Sequence, residues 1–229
     1  MEKAVVILSG GLDSTTCMGL AKEKGYDLYP LTFDYGQRHK IELKCAERVA
    51  KHYEVSDHKI VKLDFLRQIG GSALTDDSID VPTGGLTEEI PVTYVPGRNL
   101  LFLSMAASYA EVIGATAIYI GVNALDFSGY PDCRPEFIEQ VQATIAAGTK
   151  AGVEGHPIRI ETPLLNWTKA EIVRNGMAIH VPYELTTSCY LGEEVACGEC
   201  DSCRLRLKGF AEAGYRDPVP YRNDVNVRS

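Results

Sequence analysis

The chain lacks both a basic excess and a long apolar run. Its 229 residues carry 31 Asp and Glu against 23 Lys and Arg, a net charge of −8 with a pI near 5.2. Grip on a phosphate backbone needs concentrated Lys and Arg, so this balance argues against a broad nucleic-acid surface. The longest mostly apolar stretch, residues 100–110, is far shorter than the ~20 residues that cross a bilayer. The N-terminal apolar run, residues 4–8, is broken at once by Ser9-Gly10-Gly11 and is too short for the core of a secretory signal. A cytoplasmic protein with no membrane or nucleic-acid partner is expected. Two nucleotide signatures are missing as well: there is neither a Gly-Lys-Ser/Thr Walker loop nor a Gly-x-Gly-x-x-Gly.

What is present is an ordinary globular composition, 45% apolar and 24% charged, enough for a core without disulfides. Short β-rich runs alternate with helical periods. Strands are expected at residues 4–8, 28–33, 59–63, 116–122 and 159–162. Helices are expected at 14–24, 40–53, 100–113, 135–147, from 169 onward and at 202–213. Residues 100–113 are apolar almost all round, which predicts deep burial. Residues 67–97 show no period, and the Pro-, Asn- and Arg-rich tail from 217 reads as frayed. The alternation predicts an α/β fold, a doubly wound parallel five-stranded sheet with helices on both faces. Ligands of such sheets bind at the carboxyl ends of the strands.

Ser9-Gly10-Gly11-Leu12-Asp13-Ser14 occupies the first strand-to-helix turn. Two glycines allow a sharp turn and close backbone approach. The amides that follow form a helix N-terminus, which favours anions. Ser9, Ser14 and Thr15 add hydroxyls, and Asp13 is placed to hold magnesium or to cap the helix. Arg98, in Val95-Pro96-Gly97-Arg98-Asn99, stands at a helix start where its charge opposes the macrodipole unless an anion lies nearby. Lys169 is in the same position beside Thr168 and Glu171, which read as a capping box.

Four of the seven cysteines fall within fifteen positions: Cys189, Cys197, Cys200 and Cys203. Such a quartet suits tetrahedral zinc or an iron–sulfur cluster. Cys17, Cys45 and Cys133 read as small packed residues, Cys133 being the one that a polar loop brings near a site.

The SGGLDS turn resembles the pyrophosphate loop of the N-type ATP pyrophosphatases. Three further segments, Phe33–His39, Val95–Asn99 and Asp126–Arg134, together with the cysteines, resemble in order the 7-cyano-7-deazaguanine synthases of that superfamily. The resemblance implies an adenine nucleotide alpha hydrolase-like fold over residues 1–180 and a zinc-binding helical region over 181–229. It implies ATP with magnesium, 7-carboxy-7-deazaguanine and ammonia as reactants, one structural zinc per chain, and a homodimer. It places ATP at Leu8, Ser9, Gly10, Gly11, Leu12, Asp13, Ser14, Thr15, Thr16, Cys17 and Met18. Substrate or catalytic candidates are Tyr35, Gln37, Arg38, His39, Arg98, Asn99, Asp126, Ser128, Tyr130, Asp132, Arg134 and Lys169. Two other activities remain in view on sequence alone: a different ATP-dependent amidating enzyme, such as an NAD synthetase, and a tRNA-thiolating protein with a zinc module.

Overall fold

The computed structural model describes residues 1–37, 40–76, 78–80, 90–125, 130–191 and 195–222. Five parallel strands form one sheet: β1 (Lys3–Ile7), β2 (Asp27–Asp34), β3 (Lys59–Lys62), β4 (Ala117–Tyr119) and β5 (Arg159–Glu161). Their order is β3-β2-β1-β4-β5. Val5 of β1 lies opposite Tyr29 on one side and Ile118 on the other. The winding therefore reverses between β1 and β4, and a crevice opens beyond their carboxyl ends.

Among the described residues, eight α-helices accompany the sheet: α1 (Leu12–Glu23), α2 (Lys40–His52), α3 (Asp64–Ile69), α4 (Arg98–Ile113), α5 (Pro135–Gly148), α6 (Lys150–Val153), α7 (Lys169–Ala178) and α8 (Asp201–Ala213). Alternate strand residues divide between two cores, as a pleated ribbon requires. Val5, Ile7, Leu31, Phe33 and Ile118 pack toward α4 and α5, meeting Phe102, Leu103, Ala106, Ile138 and Val141. Ala4, Val6, Leu8, Leu28 and Tyr119 face the other way, toward Met18 of α1, Val49 of α2, Ile172 of α7 and Phe210 of α8. The capping box forms as expected: the Glu171 amide donates to Thr168 Oγ1, and Glu171 Oε2 accepts from the Thr168 amide at 2.8 Å.

Two expectations change. Helix α4 is not buried all round: Val112 is 84% and Leu100 47% exposed, with Ser104 and Ser108 on the same open side. It is an outer-layer helix, so the sheet covers only one of its faces. Nor is the chain frayed from residue 217. Asp217 is buried and accepts from Arg206 Nε at 2.8 Å and Nη2 at 3.0 Å. The same guanidinium reaches Thr186 Oγ1 at 2.7 Å and the Tyr183 carbonyl at 3.2 Å. Tyr221 donates its hydroxyl to Asp217, while the Ala196 amide donates to the Pro220 carbonyl and the Arg222 amide to the Ala196 carbonyl. A buried ion pair thus pins the residues up to 222 onto the cysteine region.

Candidate active site and metal centre

A cavity of about 220 Å³ opens at the reversal point. Leu8, Ser9, Gly11, Leu12, Asp13 and Ser14 form its floor. No described side chain caps α1, so its first amides, beside the cavity, have no competing cap. The hydroxyls of Ser9 and Ser14 lie 3.0 Å apart, and the Ser9 amide donates to Ser14 Oγ at 3.1 Å, holding the turn closed. Gly10, at φ +81°, packs against the Glu42 carbonyl and the Ala46 nitrogen of α2. Any side chain there would collide with that backbone. Gly121, beyond β4, lies so close that an added Cβ would stand 3.0 Å from the Ser14 nitrogen.

Of the expected ATP positions, Gly10, Thr15, Thr16, Cys17 and Met18 are not among the residues that line the cavity. Thr15 and Thr16 turn their hydroxyls back onto the carbonyls of Gly11 and Leu12, at 2.8 Å each. Thr16 also meets the Tyr183 hydroxyl at 2.8 Å. Cys17 and Met18 are wholly buried in the core. Every residue of α1 from Ser14 to Gly19 is buried, so these side chains pack into the interior on several sides of the helix.

The walls bring distant segments together. Tyr35, Gln37, Arg98, Asn99, Tyr130 and Cys133 all line the cavity. Gln37 fixes the turn after β2, accepting from the Tyr35 amide at 2.9 Å. Phe33 and Phe102 stack at 4.0 Å between ring centres and give the cavity an apolar shelf. Arg98 is surrounded by Tyr35, Asp132, Cys133 and Tyr130, which favour its charged form against burial. Asp132 lies behind this wall, accepting from the Asn99 amide at 3.2 Å. Burial pushes the Cys133 thiol up to about 12, so it is a packed thiol and not a ready nucleophile. Arg134 is exposed at the start of α5. Lys169 reaches the loop from α7, its Nζ 2.8 and 2.9 Å from the two Asp13 oxygens. Arg38, His39, Asp126 and Ser128 lie outside the described residues.

Several lining residues are absent from the sequence motifs. Glu42 of α2 faces the cavity, and burial pushes its carboxyl up to about 7, only partly countered by Arg98. Thr187, Ser188, Tyr190 and Ser202 enter from the cysteine region. Tyr190 hydrogen-bonds Tyr130, whose hydroxyl also lies 2.6 Å from Thr93 Oγ1. Asn123 joins the far wall to α7, donating from Nδ2 to the carbonyls of Leu164 and Trp167 at 2.7 and 2.6 Å.

The four cysteine sulfurs lie within 4.8 Å of one another, all on buried residues. Cys197 and Cys203 sulfurs are 3.8 Å apart. Four Zn–S bonds of ~2.3 Å in a tetrahedron put sulfurs about 3.8 Å apart, so the cage fits such an ion. Amides of Glu199 and Cys200 donate to Cys197 Sγ at 3.3 Å, and the Cys197 amide to Cys189 Sγ at 3.4 Å. Hydrogen bonds from Cys200 and Cys203 hold the Cys189 thiol well below its ordinary value while theirs rise. Ionising all four at this spacing would take a cation between them. The cluster can hold a metal ion, and its Cys189 end runs directly into the cavity wall at Tyr190.

Comparison with known proteins shows the family. Residues 3–214 match the family model of the queuosine biosynthesis protein QueC. A 7-cyano-7-deazaguanine synthase of Oceanobacillus iheyensis is 61% identical, covering 96% of this chain and 98% of that protein. One from Acetivibrio thermocellus is 58% identical over 96% and 98%. Among solved structures, a 4-thiouridine synthetase–RNA complex with bound ATP superposes with a TM-score of 0.50 at 18% identity. It covers 92% of this chain and 53% of that one, a likeness of fold. With its loop after β1 and all four cysteines inside the matched span, the chain belongs to the QueC family of queuosine biosynthesis proteins.

Proposed function

We propose that the chain is a 7-cyano-7-deazaguanine synthase, turning 7-carboxy-7-deazaguanine, ammonia and ATP into the nitrile, AMP and pyrophosphate. One observation carries this reading: the uncapped start of α1, the Arg98 guanidinium and an aromatic shelf line one cavity. A carboxylate resists amines because it is anionic and hydroxide leaves poorly. Attack of its oxygen on the α-phosphorus of ATP gives an acyl adenylate and frees pyrophosphate, and ammonia then displaces AMP to give the amide. A second adenylation, on the amide oxygen, makes AMP the leaving group for nitrile formation.

In this scheme the amides and hydroxyls of Ser9–Ser14 receive the charge that grows on pyrophosphate, and Lys169 adds a cation beside them. Arg98 neutralises the substrate carboxylate or the α-phosphate, and Phe33 and Phe102 lie against the flat base. Asp13 would hold the magnesium that accompanies ATP, an ion that usually takes one or two carboxylates plus phosphate oxygens and supplies charge neutralisation. Zinc in the Cys189–Cys203 cage would have a closed shell, so its part is structural. Residues 181–229 then form a small module completing the cavity of the 1–180 domain. The protein works in the cytoplasm as a homodimer, uses free ammonia and binds no nucleic acid.

The test is incubation with the deazaguanine acid, ammonium, magnesium and ATP, followed by mass spectrometry of base and nucleotide. The expected products are amide, then nitrile, with AMP. Release of ADP, or an unchanged base, overturns the reading. NAD formation from a nicotinate dinucleotide, or a tRNA gel shift at physiological salt, would favour the alternatives.

A further inference from the structure

Glu42 is the one carboxylate that α2 presents to the cavity, and neither the loop chemistry nor the metal cage accounts for it. Its place is fixed by the fold. Gly10 packs directly on the Glu42 carbonyl, so the first turn of α2 stands immediately behind the phosphate loop. Among the described residues, Arg98 of α4 is the charge that acts on the carboxylate. Yet no hydrogen bond or ion pair reaches that carboxylate among the described residues. Glu42 is half-buried, and a carboxylate kept only for structure in such a place is normally paired. This one lines the cavity beside the loop and takes no hydrogen bond from any described residue.

Resting on the synthase activity proposed above, we infer that Glu42 accepts the protons that nitrogen must lose after each adenylation. In the amide step, the ammonia lone pair forms the C–N bond at the acyl carbon. One N–H proton passes to a Glu42 oxygen, and the C–O bond to AMP breaks with its electron pair on the departing phosphate. In the nitrile step, the amide oxygen displaces pyrophosphate from a second ATP, giving an O-adenylated imidate with two N–H protons. The first goes to Glu42 and on to water. The second follows as the nitrogen pair closes the triple bond and AMP leaves with the C–O pair. Two protons, AMP and pyrophosphate balance the conversion of amide to nitrile.

The surroundings suit a base working near neutrality. Arg98 faces Glu42 from α4, Tyr35 from the end of β2 and Cys45 from its own helix, while Asp13 lines the same cavity from α1. Burial outweighs Arg98 and holds the carboxyl near 7, where a general base is most effective.

The experiment separates adenylation from the nitrogen steps in Glu42→Gln. Acid-dependent exchange of labelled pyrophosphate into ATP reports adenylation without ammonia, and single-turnover formation of amide and nitrile reports the rest. Exchange is expected to fall by less than about fivefold, and both nitrogen steps by about 10²- to 10⁴-fold. At constant free ammonia, the wild-type amide step should rise through a pKa near 7 that the variant lacks, and formate should restore Glu42→Ala. Wild-type rates of amide and nitrile formation in Glu42→Gln overturn the inference, as does equal loss of exchange and nitrogen chemistry. If the variants do not fold, a wild-type amide step flat through pH 7 has the same force. Absence of acid-dependent exchange in the wild type instead overturns the proposed activity.

Discussion

Lys169 donates its ammonium to both carboxylate oxygens of Asp13, at 2.8 and 2.9 Å, although the two residues stand 156 positions apart. Their side chains are only 10% and 23% exposed. The lysine stem runs against Gly209 of α8, where an added Cβ would meet Lys169 Cβ at 2.9 Å. The pair sets a cation over the N-terminus of α1, and Asp13 offsets the unfavourable position of that cation at the start of α7. Asp13→Ala and Ser9→Ala are expected to abolish acid-dependent pyrophosphate exchange while the fold survives. Lys169→Met should lower it by about 10²-fold. Full exchange in the Asp13 and Ser9 variants, with circular dichroism unchanged, would remove the loop from the reaction.

Gly10→Ala should destabilise the protein by about 2–4 kcal/mol, since it strains a left-handed backbone and overlaps the backbone of α2. The urea midpoint measures this. Gly114, at φ +69° but with open space around it, is the control, and its alanine variant should lose about 1 kcal/mol.

The Arg206–Asp217 pair predicts an asymmetry. Removing either partner alone leaves a buried charge uncompensated and should cost about 3–5 kcal/mol. Arg206→Met combined with Asp217→Leu should recover much of that loss, because both desolvation costs vanish together. A double variant as unstable as the sum of the singles would show that the pair is not an energetic unit.

Glu42 also makes stability depend on pH in a direction opposite to most carboxylates. Its folded pKa, about 7, lies above the ordinary 4.5. Between those values the unfolded chain ionises while the folded one keeps its proton, so stability falls as pH rises from 4.5 to 7 and is level beyond. Glu42→Gln should match the wild type at pH 4 and exceed it by about 2–3 kcal/mol at pH 8. Denaturant titrations at the two pH values decide it.

Metal removal should act on more than the cysteine cage. Stripping the ion with a chelator, or Cys197→Ser, should lower the melting temperature and weaken substrate binding, because Ser188 and Tyr190 flank Cys189 in the cavity wall. Metal analysis by mass spectrometry is expected to give one zinc per chain. Full substrate affinity in the metal-free protein would separate the two.

What the sequence made legible was local. The turn at Ser9–Ser14 and the four cysteines are short, contiguous patterns whose chemistry follows from spacing, and strand–helix alternation was enough for the parallel sheet. What it hid was assembled across the chain. The capping box marked the start of α7, but nothing near Lys169 names Asp13 as its partner. Thr187, Ser188, Tyr190 and Ser202 reach the cavity from a distant segment that Arg206 anchors at Thr186 and Ser188 and that the Thr187 amide ties to the Gly10 carbonyl. Glu42 left one overlooked trace: it is a charge within reach of the buried stripe Cys45, Ala46 and Val49 on α2. Positions 15–18 read as one run in the sequence, but consecutive residues on a helix point in different directions, so their side chains cannot all face one ligand.

Trp167, whose carbonyl is tied to the cavity-lining Asn123, is the sole tryptophan of the chain and lies two residues before Lys169. Nature has thereby fitted the molecule with one indole fluorophore, two positions along the backbone from the lysine that meets Asp13. Its emission offers a label-free optical signal for nucleotide arrival, readable by stopped flow before any chemistry has begun.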